Sequence, residues 1–215
     1  MELKVTAVKK TIKGKVILNG ISMSMQSGKI YGFWGMNGSG KTMFFRALSG
    51  LINIDSGVIS LDDKVLHRDF AVLPDLGIMI ENTGLYPEMT GFENLKFLAS
   101  LRKLVGDDEI RQSIMRVVLD PDDKRTYRKY SLGMKQRLAF AQAIMERPGI
   151  LMLDEVTNAL DENGIESVRD ILQEEKERGA LILIASHSRE DLRILADEIS
   201  QVKEGKINLI SKDGF

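Results

Sequence analysis

Cysteine is absent from this 215-residue chain, and histidine occurs only as His67 and His187. The first absence excludes disulfides, thiol nucleophiles and cysteine metal sites, and it suits a reducing compartment. Two imidazoles are too few for a histidine-rich metal centre. We therefore expect neither a disulfide scaffold nor a cysteine- or histidine-based metal site.

Excess charge and long apolar runs are lacking as well. The 30 basic and 31 acidic side chains leave a formal net charge of −1, so no global field draws the chain toward nucleic acid or an anionic membrane. No stretch approaches the roughly 18 uncharged apolar residues of a spanning helix, and the start lacks the pattern of a signal peptide. We expect a chain that is neither secreted nor crosses a membrane alone.

Residues Gly35 to Thr42 spell GMNGSGKT, which fits the phosphate-binding pattern G-x-x-x-x-G-K-[ST]. An apolar run from Ile30 to Trp34 precedes it and a plausible helix from Met43 to Gly50 follows, as the motif requires. Such a loop directs backbone N–H groups and a helix N-terminus at the β- and γ-phosphates. The alternative is a glycine-rich turn in which the lysine occurs by chance. The motifs downstream make this alternative less favoured. The nucleotide-binding residues expected from this loop are Gly35, Asn37, Gly38, Ser39, Gly40, Lys41, as a mobile cation, and Thr42, as a Mg²⁺ ligand.

Apolar periodicity changes along the chain. Up to about Leu66, short β-prone segments punctuated by glycines predict an antiparallel region around the phosphate-loop strand. Trp34 is interpreted as a core residue of that strand. From Phe92 to Met145 the spacing is helical, and the later apolar runs 150–153 and 181–185 are typical of buried parallel strands. We predict one α/β domain over residues 1–215 with a mainly parallel sheet. Its nucleotide-binding core spans 1–90 and 147–215, with an N-terminal antiparallel β region, and its inserted helical lobe spans 91–146.

The apolar run at 150–153 ends in two acids, Asp154 and Glu155. Adjacent carboxylates at a buried strand end repel one another unless a cation is near. A Mg²⁺–nucleotide site supplies that cation, so we expect Asp154 to hold the metal's water shell and Glu155 to orient or deprotonate the attacking water.

With these motifs nearly the whole chain resembles the nucleotide-binding subunits of ATP-binding cassette (ABC) transporters, whose core is a RecA-like P-loop NTPase fold. Residues 130–137, YSLGMKQR, are similar to the family signature Leu-Ser-Gly-Gly-Gln and keep Ser131 and Gly133. The resemblance implies that these two residues touch the γ-phosphate bound by an opposite subunit. Asn158 to Asp161 resembles the family's D-loop. His187 resembles its switch histidine, whose imidazole hydrogen-bonds the γ-phosphate.

The chain departs from the family pattern at two places. Glu81 occupies the position of the Q-loop glutamine, where we expect it to face Mg²⁺. The adjoining sequence from Leu85 to Leu95 is similar to that of subunits for bacteriocin, lantibiotic or bacitracin export and self-immunity. Ile12 stands where the family generally stacks an aromatic ring on adenine, so base selectivity is expected to be weak.

The resemblance implies an ATP-hydrolysing, Mg²⁺-dependent motor subunit of an export-type transporter. It would work as a homodimer or heterodimer on separate transmembrane permease subunits, at the cytoplasmic face of the membrane, without nucleic acid. A soluble ATPase acting on DNA or ribosomes is the alternative, although the chain has neither a long coiled coil nor two cassettes. A third possibility is a phosphate-loop fold that binds nucleotide without hydrolysing it. In that case Glu155 would have no catalytic role.

Overall fold

A computed structural model of the protein describes residues 1–80, 84–211 and 215. The strands in these ranges are β1 (Glu2–Ile12), β2 (Lys15–Gln26), β3 (Ile30–Trp34), β4 (Ser56–Leu61), β5 (Lys64–Val65), β6 (Leu76–Met79), β7 (Ile150–Asp154), β8 (Leu181–Ser186), β9 (Glu198–Lys203) and β10 (Lys206–Ile210). The helices are α1 (Lys41–Ser49), α2 (Gly91–Arg102), α3 (Asp107–Arg116), α4 (Leu132–Ile144), α5 (Glu162–Glu177) and α6 (Arg189–Leu195), with a 3-10 turn at Tyr127–Lys129.

The larger sheet has six strands in the order β10-β9-β3-β8-β7-β6. Strands β9, β3, β8, β7 and β6 run parallel, and β10 pairs antiparallel with β9 at the edge. Every residue of β8 is buried, as its continuous apolar sequence predicts for a strand covered on both faces. The predicted α/β class with a mainly parallel sheet is confirmed.

Strands β1, β2, β4 and β5 form a separate antiparallel sheet in the order β2-β1-β4-β5. Strands β1 and β2 are joined by a two-residue turn, Lys13–Gly14, in which both residues have positive φ angles, of 48° and 80°. Turns of this kind match the right-handed twist of paired strands. The predicted antiparallel region is therefore present.

Two apolar clusters lie on opposite faces of the larger sheet, because successive side chains of a strand alternate. Leu151 and Leu153 of β7 join the cluster that includes α4 and α5. Ile150 and Met152 of the same strand join the cluster that includes α1 and the antiparallel sheet. The sheet is thus the middle layer, and the carboxyl ends of its strands are held rigidly from both sides.

The helices α2, α3 and α4 lie between β6 and β7 in the chain, where the helical lobe is predicted. Helix α2 begins with a capping box between Thr90 and Glu93. The fully buried Asn94 side chain accepts from the Tyr86 N–H and donates to the Tyr86 carbonyl, which fixes the preceding loop. The domain boundaries at 90/91 and 146/147 stay predictions. No helix within the described ranges is long and apolar enough to span a membrane.

Candidate active site

The candidate site lies where β3, β7 and β8 end. In the sheet Trp34 pairs with Ser186, and Asp154 pairs with Ala185. Because neighbouring parallel strands end at one edge, the residues that follow them converge. The crevice at this edge is where open α/β sheets bind ligands.

The phosphate-loop motif forms the turn between β3 and α1. Gly40 caps α1 with a φ angle of 110°, a conformation that favours glycine, and the helix begins at Lys41, two residues before the expected start. At Gly35 a Cβ atom would lie 2.5 Å from the Val202 carbonyl oxygen and 2.6 Å from Ser39 Oγ, so only glycine fits there. The Ser39 hydroxyl is itself buried and has no hydrogen-bond partner among the described residues, as suits a group that donates to a bound anion.

Lys41 is only 5% exposed, and its ammonium lies among oxygen acceptors. Nζ donates to the Gly35 carbonyl at 2.6 Å and lies 3.6 Å from Glu155 Oε1. A buried cation beside a ring of backbone N–H groups provides both the charge and the donors that a polyphosphate needs. The structure therefore places Lys41 inside the loop, as the motif predicts.

Thr42 and Asp154 meet directly, since the Thr42 hydroxyl donates a hydrogen bond to Asp154 Oδ2. A hydroxyl and a carboxylate oxygen at the mouth of a phosphate loop are the hard oxygen donors that Mg²⁺ prefers. Among the described residues no group of three or more His, Cys, Asp or Glu side chains converges on a metal position. This donor set fits Mg²⁺, which is usually bound by one or two protein groups together with substrate phosphates.

Glu155 is held from several sides immediately after β7, with a φ angle of 53°. Its N–H donates to the Ala185 carbonyl at 2.8 Å, and Gln136 Nε2 donates to its carbonyl at 2.7 Å. One carboxylate oxygen, Oε2, lies 2.8 Å from His187 Nδ1. The other, Oε1, faces Lys41 and is buried, with no hydrogen-bond partner in the part of the chain that the structure describes. The carboxylate thus has one oxygen available for a further polar group.

Sequence reasoning missed the role of Gln136. It stands in the signature-like segment, but no spacing rule links that segment to the acid pair at the end of β7. In the structure the Gln136 amide also donates to the Val156 carbonyl at 3.2 Å. It therefore fixes the backbone on both sides of the peptide bond after Glu155.

Ser131 and Gly133, predicted to act on nucleotide, lie apart from this cluster, and neither lines the cleft around Lys41. Ser131 is exposed and caps α4, its Oγ accepting from the Met134 N–H at 3.2 Å. At Gly133 a Cβ atom would lie 2.8 Å from the Ala159 carbonyl oxygen. The signature-like turn is therefore pressed against the loop after β7.

That loop, Asn158 to Asp161, is predicted to be the D-loop. Asn158 is exposed and lines the cleft, whereas Asp161 caps α5 by accepting from the Gly164 N–H at 3.0 Å. This hydrogen bond, together with the Arg137 guanidinium, lowers the pKa of Asp161 below its usual value. Asp161 is therefore an ionised capping group that ties α5 to α4.

The cleft at the strand ends has a volume of about 600 Å³. Its lining residues are Ile17, Asn37, Gly38, Ser39, Gly40, Lys41, Thr42, Met43, Met79, Gln136, Asp154, Glu155 and Asn158. The His187 imidazole contacts Glu155, which is one of these lining residues. Glu81, the expected Q-loop metal ligand, lies outside the described residues.

Comparisons with known proteins agree with this geometry. A family described as ABC transporter matches residues 18–158. The chain is 45% identical, over 98% of its own length and 96% of the relative's, to the uncharacterized ABC transporter ATP-binding protein YybJ of Bacillus subtilis. It is 36% identical to the lantibiotic transport ATP-binding protein SrtF of Streptococcus pyogenes, over 96% and 89% of the two chains. It is also 36% identical to the bacitracin transport ATP-binding protein BcrA of Enterococcus faecalis, over 89% and 63%.

The fold is likewise similar to solved structures. One described as the dimeric structure of MJ0796, a bacterial ABC transporter cassette, superposes with a TM-score of 0.87 at 21% identity, covering 99% of this chain and all of that one. Fold and site together define a P-loop ATPase of the cassette type. The chain belongs to the ABC transporter family, in which it is an ATP-binding subunit that hydrolyses ATP. The predicted family, function class and enzyme class are confirmed.

Proposed function

We propose that Glu155 is the general base of ATP hydrolysis and that His187 orients it and the γ-phosphate. The observation that carries this assignment is the position of the Glu155 carboxylate, between Lys41 on one oxygen and His187 on the other. Glu155 would accept a proton from a water molecule as the water oxygen attacks the γ-phosphorus. The bond to the β-phosphate oxygen then breaks, which leaves ADP and phosphate.

Binding of the triphosphate is assigned to the loop from Gly35 to Thr42. Its backbone N–H groups and Lys41 would hold the β- and γ-phosphates, with Asn37, Gly38, Ser39 and Gly40 forming the turn. Thr42 and Asp154 would hold Mg²⁺, which supplies positive charge to the phosphate oxygens when bound. Glu81 is proposed as a further group on the metal side.

Ser131 and Gly133 are proposed to act on the nucleotide of a second cassette, which is either a copy of this chain or a related subunit. Two observations support this arrangement. Both residues lie apart from the Lys41 cleft of their own chain, and the similar MJ0796 cassette is described as dimeric. A head-to-tail pair would bring each exposed signature-like turn to the partner's phosphate loop.

The transported molecule is proposed to be a peptide antibiotic or a similar drug, exported through separate permease subunits. Relatives named for lantibiotic and bacitracin transport, 36% identical, support this choice. The subunit would then act at the cytoplasmic face of the membrane, bound to its permease. Action on DNA or ribosomes is not proposed, since these relatives are named for transport.

Replacement of Glu155 by glutamine tests the catalytic assignment. The amide keeps the size of the side chain but cannot accept a proton, so hydrolysis should fall on the order of 10²–10⁴-fold while ATP still binds. The uncleaved nucleotide should trap a dimer in size-exclusion chromatography with Mg-ATP. Glu162→Gln, the same change at an exposed position of α5, is the matched control and should hydrolyse ATP at the wild-type rate. Wild-type hydrolysis by Glu155→Gln would overturn the general-base role, and a purely monomeric variant would overturn the proposed dimer.

A further inference from the structure

Trp34, the single tryptophan of the chain, links the phosphate loop to the loop that carries His187. It is the last residue of β3, directly before Gly35, and it pairs across the sheet with Ser186, directly before His187. The side chain is partly buried against the core on the α4 and α5 face. Trp34 therefore lies between the phosphate loop and the loop that carries His187. Its residue type alone predicts only a contact in the apolar core.

The polar edge of the indole makes a defined contact. Its Nε1–H donates to the carbonyl of His187 at 3.2 Å. Tryptophan N–H groups usually have such a partner when the ring is packed, and the partner here belongs to a proposed catalytic residue. The indole ring also contacts two other side chains. The Arg189 guanidinium lies 4.4 Å from the ring centroid, and the Phe215 ring lies edge-on with its centroid 5.7 Å away.

A contact of this kind matters for His187, because its side chain is half-exposed. Its imidazole touches Glu155 Oε2 at 2.8 Å, while its own N–H is a long 3.5 Å from the same oxygen. The contact with Trp34 holds the carbonyl of the same residue. A catalytic side chain depends on neighbours that restrict its backbone and rotamer, and a displacement of about 1 Å can cost on the order of 10²-fold in rate.

We propose that Trp34 is a positioning residue for ATP hydrolysis, whose indole N–H fixes His187 relative to Glu155. The proposal rests on the roles assigned above to Glu155 and His187. Arg189 contributes to the same positioning, because its guanidinium lies over the Trp34 ring. Arg189 is in the first turn of α6, two residues after His187. Trp34 itself touches no reacting atom, so its effect should be on turnover rather than on nucleotide affinity.

Trp34→Phe removes the N–H donor and keeps a ring for Arg189 and Phe215. We expect kcat to fall about threefold to tenfold, the range for one lost hydrogen bond, while the Kd for a fluorescent ATP analogue changes by less than about twofold. Tyr31→Phe is the matched control on the same strand. Its hydroxyl accepts from the Gln26 N–H at 3.0 Å, away from His187, so its kcat should be that of wild type.

A double-mutant cycle with His187→Ala separates positioning from general loosening of the fold. If Trp34 acts through His187, then Trp34→Phe should reduce kcat no further in the His187→Ala background. An equal loss in both backgrounds, or a wild-type kcat for Trp34→Phe alone, would overturn the proposal. A wild-type rate for His187→Ala would instead overturn the assigned role of His187, and the inference with it. Should Trp34→Phe fold poorly in a thermal melt, Arg189→Gln takes its place, with the same expectations.

Discussion

Predicted site residues lie in two regions: the sheet edge where β3, β7 and β8 end, and the first turn of α4. The two regions differ in what these residues contact. At the sheet edge, the side chains contact one another: Thr42 donates a hydrogen bond to Asp154, and the Glu155 carboxylate lies between Lys41, at ion-pair distance, and His187. At the first turn of α4, the Ser131 hydroxyl caps its own helix, and Gly133 lies against a neighbouring loop.

The contrast separates groups that one chain brings together from groups that it leaves apart. The sheet edge contains a buried cation, two oxygen groups that suit a metal and a positioned carboxylate, which are the groups assigned to the proposed triphosphate site. Helix α4 is tied to that edge through Gln136, while Ser131 and Leu132 at its start are exposed and do not line the Lys41 cleft. A second subunit is therefore expected to use that turn, and the following predictions test the contrast between the two regions.

The largest expected effect on nucleotide affinity is at the sheet edge, on Lys41→Ala. This variant deletes the buried cation of the loop, so binding of a fluorescent ATP analogue should weaken by about 1.5–3 kcal/mol, which raises the Kd roughly 10- to 150-fold. The control is Lys96→Ala, which removes an equal charge from an exposed pair with Asp107 and should leave affinity unchanged. Equal affinity for wild type and Lys41→Ala would show that the loop is not the nucleotide site.

The second prediction combines the two regions by subunit mixing. Lys41→Ala and Ser131→Arg should each abolish most hydrolysis alone, because each damages both sites of a symmetric head-to-tail dimer. Mixed one to one, they should recover roughly a quarter of the wild-type rate, since half of the dimers are mixed and each of these has one intact site. A mixture no more active than its components would mean that Ser131 serves its own chain.

Gly133→Ala tests whether the signature-like turn is pressed on the loop after β7. Crowding of the new methyl group against the Ala159 carbonyl should cost about 1–3 kcal/mol, and alanine's helix propensity should offset up to about 1 kcal/mol of that. The free energy of unfolding in urea should therefore fall by about 1 kcal/mol. Leu132→Ala, at a neighbouring side chain that is 70% exposed, should change it by less than about 0.5 kcal/mol. A more stable Gly133→Ala would contradict the close approach.

The smallest effect is expected at Ile12, which ends β1 with a side chain 36% exposed. Without an aromatic ring there, ATP and GTP affinities should agree within about tenfold, or 1.4 kcal/mol. Ile12→Tyr should strengthen ATP binding by about 0.5–1.5 kcal/mol through stacking, whereas Ile12→Leu should not. A strong ATP preference in the wild type would point to an aromatic partner elsewhere. Tyr31 is a poor choice for that partner, because it is only 4% exposed and its hydroxyl accepts from Gln26.

Features that depend on consecutive residues could be predicted from the sequence. The phosphate loop is one such feature, because its glycines, Lys41 and Thr42 act within a single turn. The apolar runs that became β7 and β8 are another, because a strand covered on both faces is apolar throughout. The family signature was found in the same way, around Ser131 and Gly133. For these parts the chemistry is local, so the order of residues determines it.

Contacts between distant residues were decided only by the tertiary structure. Thr42 meets Asp154, Glu155 meets His187 and Trp34 meets the His187 carbonyl because β3, β8 and β7 are neighbours in that order in the sheet. Gln136 reaches Glu155 because α4 packs against the same sheet. Strand order and helix packing come from burying two apolar faces at once, a property of the whole chain. The order of residues was therefore enough to propose which groups bind phosphate and metal, whereas the packing of the sheet sets which side chains hold those groups in place.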